Sequence, residues 1–393
     1  MVSARRSLGT AIVMNIRSRR IGHRASDELA AEGSERRVTV GLVADEGFAS
    51  SIASAIDNAL PRTVMIDGQQ VGVEVDRAAA VLPPTDTGSA QLGRWLDSVQ
   101  SQNTYDIVLC VSEVPRRLGP RPVVAELRPG STAALYVPSF GTIAVRRRAV
   151  AAAVGIVHDL LGTDAAARPH LRRSLSRWVP GPDPDGDGDR VLLTPGVLGR
   201  LRLVSGMIRC NRPWRLVPAL SSVLGAASAA SAFGVFYASI WQMAASMTIT
   251  RLASIGVAAV VAITVWLIFP NGLWENRSFR SSTTDRWMYN CATLGTVVAG
   301  ALCLYAVLFL VVLGSAAVVI SPQFLSFQLG RPSAMTDYLS LACLAASLGT
   351  VAGAVGSSVS DRTDILAATY GHREQLRRKA SAAGVGVGAE ARN

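Results

Sequence analysis

Charge is scarce in this sequence. Only 17% of its 393 residues are Asp, Glu, Lys or Arg, against 49% hydrophobic. That balance excludes an intrinsically disordered chain and departs from that of an ordinary soluble enzyme. Lysine is almost missing: of 39 basic residues one, Lys379, is lysine and the other 38 are arginine. Such a bias reflects coding composition more than a binding code. Cysteine is rare as well. Cys110, Cys210, Cys291, Cys303 and Cys343 form no C-x-x-C and no Cys/His pair at ligand spacing. This excludes a zinc site and a disulfide framework and leaves buried, reduced thiols. No G-x-G-x-x-G follows the first strand and no G-x-x-x-x-G-K-[ST] occurs, so no dinucleotide or nucleoside triphosphate site of ordinary type is expected. No nucleic-acid recognition motif accompanies the net charge of +11, so nucleic acid is not an expected partner.

The apolar residues gather in the second half. Residues 216–250, 252–274, 287–330 and 338–360 carry no Asp, Glu, Lys, Arg or His. About 20 apolar residues cross a hydrocarbon core, and a stretch with no polar face is not a soluble amphipathic helix. The pattern predicts an all-α, four-helix transmembrane domain over 216–360, with spans at about 217–243, 252–270, 290–320 and 338–359. The third run has no breaker at its middle and reads as one long tilted helix, extended at the interface up to Pro322. The lack of ionisable groups inside the spans argues against a pump or ion-coupled transporter, which need them. Small residues stand there instead: Ala345, Gly349 and Gly353 at four-residue spacing, and Gly225 with Ala229 in the first span. Such faces let helices approach closely, here within the bundle.

Arginine sets the orientation. Arg200, Arg202, Arg209, Arg212 and Arg215 precede the first span with no acid between them. The next loops carry Arg251 alone, then Arg277, Arg280 and Arg286, then Arg331 alone, and the tail 361–393 is basic. The alternation predicts a multi-pass protein of the cell (inner) membrane with both termini and the 271–288 loop cytoplasmic. The bilayer is then a partner, with Arg200 and Arg202 favouring anionic lipid. Residues 1–35 read as a basic disordered arm. Arg5-Arg6 resembles a twin-arginine signal, but the following apolar stretch is too short and lacks a cleavage site. Met14 is a second candidate start.

Between arm and membrane, 36–163 reads as an α/β domain with an open sheet, strands alternating with helices. Residues 37–44, 106–111, 123–127 and 133–137 are short apolar runs expected as strands, and 63–66 with 71–75 a hairpin around Asp67-Gly68. Residues 48–60, 90–102 and 143–161 carry helical stripes. The segment 164–215 reads as a linker and juxtamembrane basic piece, with 191–207 lying on the headgroups. Asp183, Asp185, Asp187 and Gly188 open like a calcium loop, but Thr194 stands where the loop needs a bidentate Glu, so an acidic linker is expected.

Ligands collect at the carboxyl ends of strands in open α/β sheets. Here those ends carry Asp45, Glu46 and Gly47, then Ser112 and Glu113, then Ser139 and Gly141. If the strands are parallel neighbours, these residues share one rim. The competing reading is that Asp45 and Ser139 cap helices and the others fill turns. No catalytic set is identifiable: Ser139 lacks the G-x-S-x-G context, and adjacent His158 and Asp159 on a helix point apart. Arg116-Arg117 and Arg146-Arg147-Arg148 read as a solvated face rather than a phosphate site. His23, His170 and His372 lie in tails or the connector, and no pair has metal spacing.

Residues 105–115 (YDIVLCVSEVP), 121–126 (RPVVAE) and 134–141 (ALYVPSFG) resemble a group of uncharacterised multi-span membrane proteins of GC-rich Gram-positive, actinobacterial-type bacteria that carry an N-terminal cytoplasmic α/β domain. The resemblance implies a host type and a layout but no chemistry. The expected function is therefore non-enzymatic: a membrane anchor or scaffold whose cytoplasmic domain binds a protein partner, a second copy or a small ligand. The alternatives are a membrane-tethered enzyme using Asp45, Glu113 and Ser139, or an accessory subunit of a transport or envelope-building complex.

Overall fold

The computed structural model describes residues 37–45, 47–66, 68–79, 88–162, 177–181, 190–194, 196–270, 273–274 and 283–356. The basic arm, Glu46, Asp67, the 183–188 stretch, His23, His170, His372, Arg277, Arg280 and the tail lie outside the described residues. The chain divides into two compact units, residues 1–196 and 197–393.

The first unit is built on one mixed sheet. Its elements run β1 (Arg37–Ala44), α1 (Phe48–Ala59), β2 (Thr63–Ile66), β3 (Gln69–Ala79), α2 (Gly88–Asn103), β4 (Ile107–Ser112), β5 (Arg117–Leu118), β6 (Arg121–Arg128), β7 (Thr132–Tyr136), α3 (Val145–Leu160), β8 (Arg177–Pro180) and β9 (Arg190–Leu193). The order across the sheet is β2-β3-β1-β4-β7-β6-β9-β8, with β5 beside β6. Only β3, β1, β4 and β7 are parallel neighbours; the other pairs are antiparallel. The apolar runs of β1, β4 and β7 follow from this, because parallel strands are covered on both faces. Leu92, Trp95, Leu96 and Val99 of α2 cover Val43, Val108, Cys110, Ala134 and Tyr136 on one face. The alternate residues Leu42, Leu109, Val111 and Leu135 are also buried, under α1 and α3, which pack on each other and on the central strands.

Two of these strands differ from the sequence expectation. β8 and β9 come from the segment read as a linker, and β9 lies against β6 with Val191 opposite Glu126. The piece expected to lie whole on the headgroups is thus a strand followed, after Thr194, by a separate helix. Sequence alone misses this because a four-residue strand is too short to show its period.

The second unit is helical: α4 (Gly196–Cys210), α5 (Leu216–Ala219), α6 (Ser221–Phe236), α7 (Ala238–Ser246), α8 (Ile249–Ile268), α9 (Thr283–Val319), α10 (Pro322–Leu329) and α11 (Met335–Gly356). Three helices are long and apolar enough to cross a membrane: Ile249–Ile268, Arg286–Val319 and Met335–Val355. The first expected span, 217–243, is not one helix. It breaks at Leu220 and again at Tyr237, whose extended backbone ends α6. Pro218 lacks the donor a continuous helix needs, and the chain bends by 57° between 196–218 and 221–236. At the second break Trp241 Nε1 donates to the Gly234 carbonyl at 3.0 Å, replacing a lost backbone partner. The third run is one helix, as expected.

The bundle has two packed levels. Near one end Leu216, Leu220 and Val223 meet Ile263, Leu267, Ile268, Val297, Ala301 and Ala354. Near the other Val235, Trp241 and Leu252 meet Val312, Ile320, Leu325 and Tyr338. The part of α9 inside the bundle, 297–319, is about 35 Å long at 1.5 Å per residue. Its first turns project beyond and pack through Met288, Tyr289 and Ala292 against Leu203 and Met207 of α4. Large apolar side chains cover the outside: Phe236, Val257, Val261, Leu310 and Val318 are all exposed, far more apolar surface than a soluble protein shows.

The closest approach is between α6 and α11. A Cβ on Gly353 would stand 2.8 Å from both the Ala227 Cβ and the Val223 carbonyl, and one on Gly349 would collide with Ser231 Oγ and the Ala227 carbonyl. Gly234 faces Ala345 in the same way. The expected Ala345, Gly349 and Gly353 seam is therefore used within the bundle. Its partner face is Val223, Ala227, Ser231 and Gly234; the expected Gly225 meets nothing within 4 Å, and Ala229 is exposed. Gly349→Ala should lower the thermal midpoint of the detergent-solubilised protein, at an overpacking cost of about 1–3 kcal/mol, whereas Gly225→Ala, in open space within a helix, should leave it unchanged or raise it slightly. Equal midpoints for the two variants would reject this seam.

Candidate functional site at the strand ends

β1, β4 and β7 point the same way, so their carboxyl ends do form one rim. The register sets the details. Ala44 lies opposite Val111 and Ser112 opposite Tyr136, which brings Asp45 to Ser112 at the next step. The Asp45 carboxylate accepts from Ser112 Oγ at 3.2 Å and from the Glu113 amide at 2.8 Å. Ser112 Oγ in turn accepts from the Val114 amide at 3.1 Å. Glu113 Oε1 accepts from the Ala49 amide at 2.8 Å, in the first turn of α1. A carboxylate there satisfies a donor with no partner inside the helix and meets the positive end of its dipole.

Sequence reasoning assigned that cap to Asp45, the nearer residue in the chain. The N-cap position is Gly47, which has no side chain to offer; the carboxylate arrives from the neighbouring strand instead. Gly47 has φ 127° and ψ −128°, and a Cβ on it would stand 2.7 Å from Glu113 Oε1. Both its backbone and the closeness of the carboxylate require glycine. Ser139 does not cap α3 either. Its Oγ donates to the Val123 carbonyl at 2.5 Å, tying the turn after β7 to β6. Gly141, at φ 78°, ends that turn. Asp45, Ser112, Glu113 and Ser139 are each at most 4% exposed. The rim thus gathers Asp45, Gly47, Ser112 and Glu113, while Ser139 bonds to β6.

A second buried cluster adjoins it. Arg116 Nε lies 3.1 Å from Glu126 Oε1, and the Tyr136 hydroxyl donates to Glu126 Oε2 at 3.0 Å. Arg116 was expected on a solvated face; its side chain is 16% exposed and ion-paired. Burial pushes the Tyr136 phenol well above its usual range, and the Glu126 carboxylate adds to this. Burial works to lower the Arg116 value, but Glu126 and Tyr136 outweigh it and hold the guanidinium above its ordinary range. The clue was Glu126 itself: a carboxylate inside the apolar run PVVAEL is either exposed or paired within the core. The arginines at 146, 147 and 148 are exposed, as expected. None of the five cysteines is in a disulfide; Cys110 and Cys210 are buried as expected, whereas Cys291, Cys303 and Cys343 are only half-buried.

No family model, curated protein or solved structure matches this chain.

Two measurements probe the site. Glu113→Ala leaves the Ala49 amide buried without its acceptor and should cost about 1–3 kcal/mol. Hydrogen exchange of the 48–56 segment in the full-length protein should speed up accordingly; unchanged protection would remove Glu113 from the cap. The second concerns alkaline pH. A phenol whose folded pKa exceeds its unfolded value contributes stability that is present below pH about 10 and lost as pH rises beyond it. Tyr136→Phe should therefore reduce the loss of stability above that pH, read as melting temperature against pH.

Proposed function

We propose that this chain is a multi-pass protein of the cell membrane that carries a cytoplasmic α/β domain as a non-enzymatic binding module. The observation that carries the reading is the closed rim. Where an open sheet would hold a substrate, Asp45, Ser112 and Glu113 are buried and bonded to one another and to α1. Catalytic carboxylates need access to a substrate proton or centre; these serve as internal acceptors. The binding surface then lies on the outside of the domain, and its partner is a protein, a second copy or a small ligand.

Four crossings fit the bundle better than three. Residues 216–236, interrupted at Leu220, are about as long as α8, and their packed levels match those of α8, α9 and α11. Arg200, Arg202, Arg209, Arg212, Arg215 and Arg286 belong to the α4 end of the unit, and Arg251 and Arg331 to the other. That asymmetry makes the α4 end cytoplasmic, with both termini on the same side. The α/β unit precedes α4 in sequence, so the same reading makes it cytoplasmic.

In intact cells, an impermeant maleimide should label Ser333→Cys, while Arg200→Cys should react only after permeabilisation; the reverse pattern would invert the topology. Native mass spectrometry of full-length protein then separates binder from enzyme. Asp45→Asn should leave its bound molecules unchanged. A small molecule released by that substitution, with the melting temperature intact, would favour the tethered enzyme.

A further inference from the structure

The chain enters the bundle through an elbow between α4 and α6. Three arginines stand on it: Arg209 in the last turn of α4, then Arg212 and Arg215 at the two ends of a 3-10 turn over Pro213–Arg215. Arg212 has φ 52° and ψ 65°, the left-handed region that non-glycine residues seldom occupy. It is the left-handed residue that commonly follows the end of a helix, and its amide donates back to the Arg209 carbonyl at 3.1 Å. The Arg215 amide donates to the Arg212 carbonyl at 2.9 Å. That bond closes a tight turn, which holds Arg212 and Arg215 at its two ends. Arg215 is exposed and Arg212 half-buried. Among the described residues no carboxylate pairs with either.

The setting is interfacial. The Arg209 guanidinium lies 5.7 Å from the centre of the Trp214 ring, and Trp214 is exposed. Leu216, next in the chain, packs at the level where α8 ends, with Leu267, Ile268 and Ala354. Val197, Leu198 and Leu201 of α4 present exposed apolar side chains. An amphipathic ring beside guanidinium groups at the end of an apolar bundle matches the depth of lipid headgroups.

We propose that this elbow binds the phosphodiester of an anionic phospholipid, with Arg212 and Arg215 on the phosphate and Trp214 alongside the glycerol and upper acyl chains. The inference rests on the membrane-spanning reading above. Anionic rather than zwitterionic lipid follows from the charges: Arg212 and Arg215 offer cations to the phosphate, and residues 209–216 of the elbow itself contain no carboxylate for an ammonium headgroup. A guanidinium fork suits phosphate oxygens in a way an ammonium does not.

The test uses full-length protein in vesicles of phosphatidylcholine and phosphatidylglycerol, released into mild detergent for native mass spectrometry. Phosphatidylglycerol should be retained in preference to phosphatidylcholine. Each arginine near the surface contributes about fivefold to such binding, so Arg212→Gln with Arg215→Gln should lower retention about thirtyfold. Arg251→Gln, at the other end of the bundle, should not. Arg212→Gly separates binding from folding: glycine accepts the left-handed backbone, so the fold is kept while retention falls about fivefold. Equal retention of both lipids, or retention unchanged in Arg212→Gly and the double variant, would overturn the proposal. So would an adduct of inorganic phosphate without a lipid. Extraction of the protein from membranes by alkaline carbonate would instead reject the membrane reading itself.

Discussion

A buried polar group without a partner destabilises a fold by more than most single contacts stabilise it, and this constraint shapes both units. In the α/β unit it explains why Asp45, Ser112, Glu113 and the first turn of α1 are bonded in a chain. It also explains why Glu126 has both an arginine and a phenol on its two oxygens. The central strands are buried on both faces, so a charge at their ends has little water to meet. Because the Asp45 carboxylate accepts from the Glu113 amide and the Glu113 carboxylate from the Ala49 amide, the spacing of β1 against β4 and the start of α1 are fixed together.

The helical unit meets the same constraint with neutral donors. Trp241 serves the carbonyl of Gly234, Tyr338 that of Ile320 at 2.8 Å, and Ser231 that of Ala345 at 3.1 Å. Asn211 donates to Thr296 Oγ1 at 2.8 Å, although its own Oδ1 has no hydrogen-bond partner. The charged pair joins Arg331, in the turn before α11, to Asp337 in the first turn of α11, not in the middle of a helix. Because none of these contacts is strong alone, close backbone approach along Gly349 and Gly353 carries much of the packing between α6 and α11.

Much of this was legible in the residues, for reasons that also mark where it stopped. The long apolar helices were readable because composition alone fixes their length. The parallel alignment of β1, β4 and β7 was only a condition at the sequence level, and the register supplied it. Glu113 as the cap of α1 was hidden, since it lies 64 positions from Ala49 and local pattern ranks the adjacent Asp45 first. The partner face of the glycine seam was also missed. Gly225 and Ala229 have the right spacing, but small residues crowd α6 on every side, and only packing chooses among them. The breaks at Leu220 and Tyr237 had a visible cause in Pro218 for the first and none in the local sequence for the second.

The continuity of α9 has a mechanical consequence. One unbroken helix runs from inside the apolar bundle to a stretch outside it that is clasped by α4. A hydrogen-bonded helix resists bending, so its two ends cannot move independently. The projecting part, 283–296, is about 20 Å long, and a tilt of roughly 10° within the bundle would sweep its tip by about 4 Å. On the membrane-spanning reading proposed above, the helix is a lever arm across the boundary. Any change in bilayer thickness or lateral pressure that tilts α9 would reach the residues around Met288 and Leu203 as a displacement comparable to the width of a side chain.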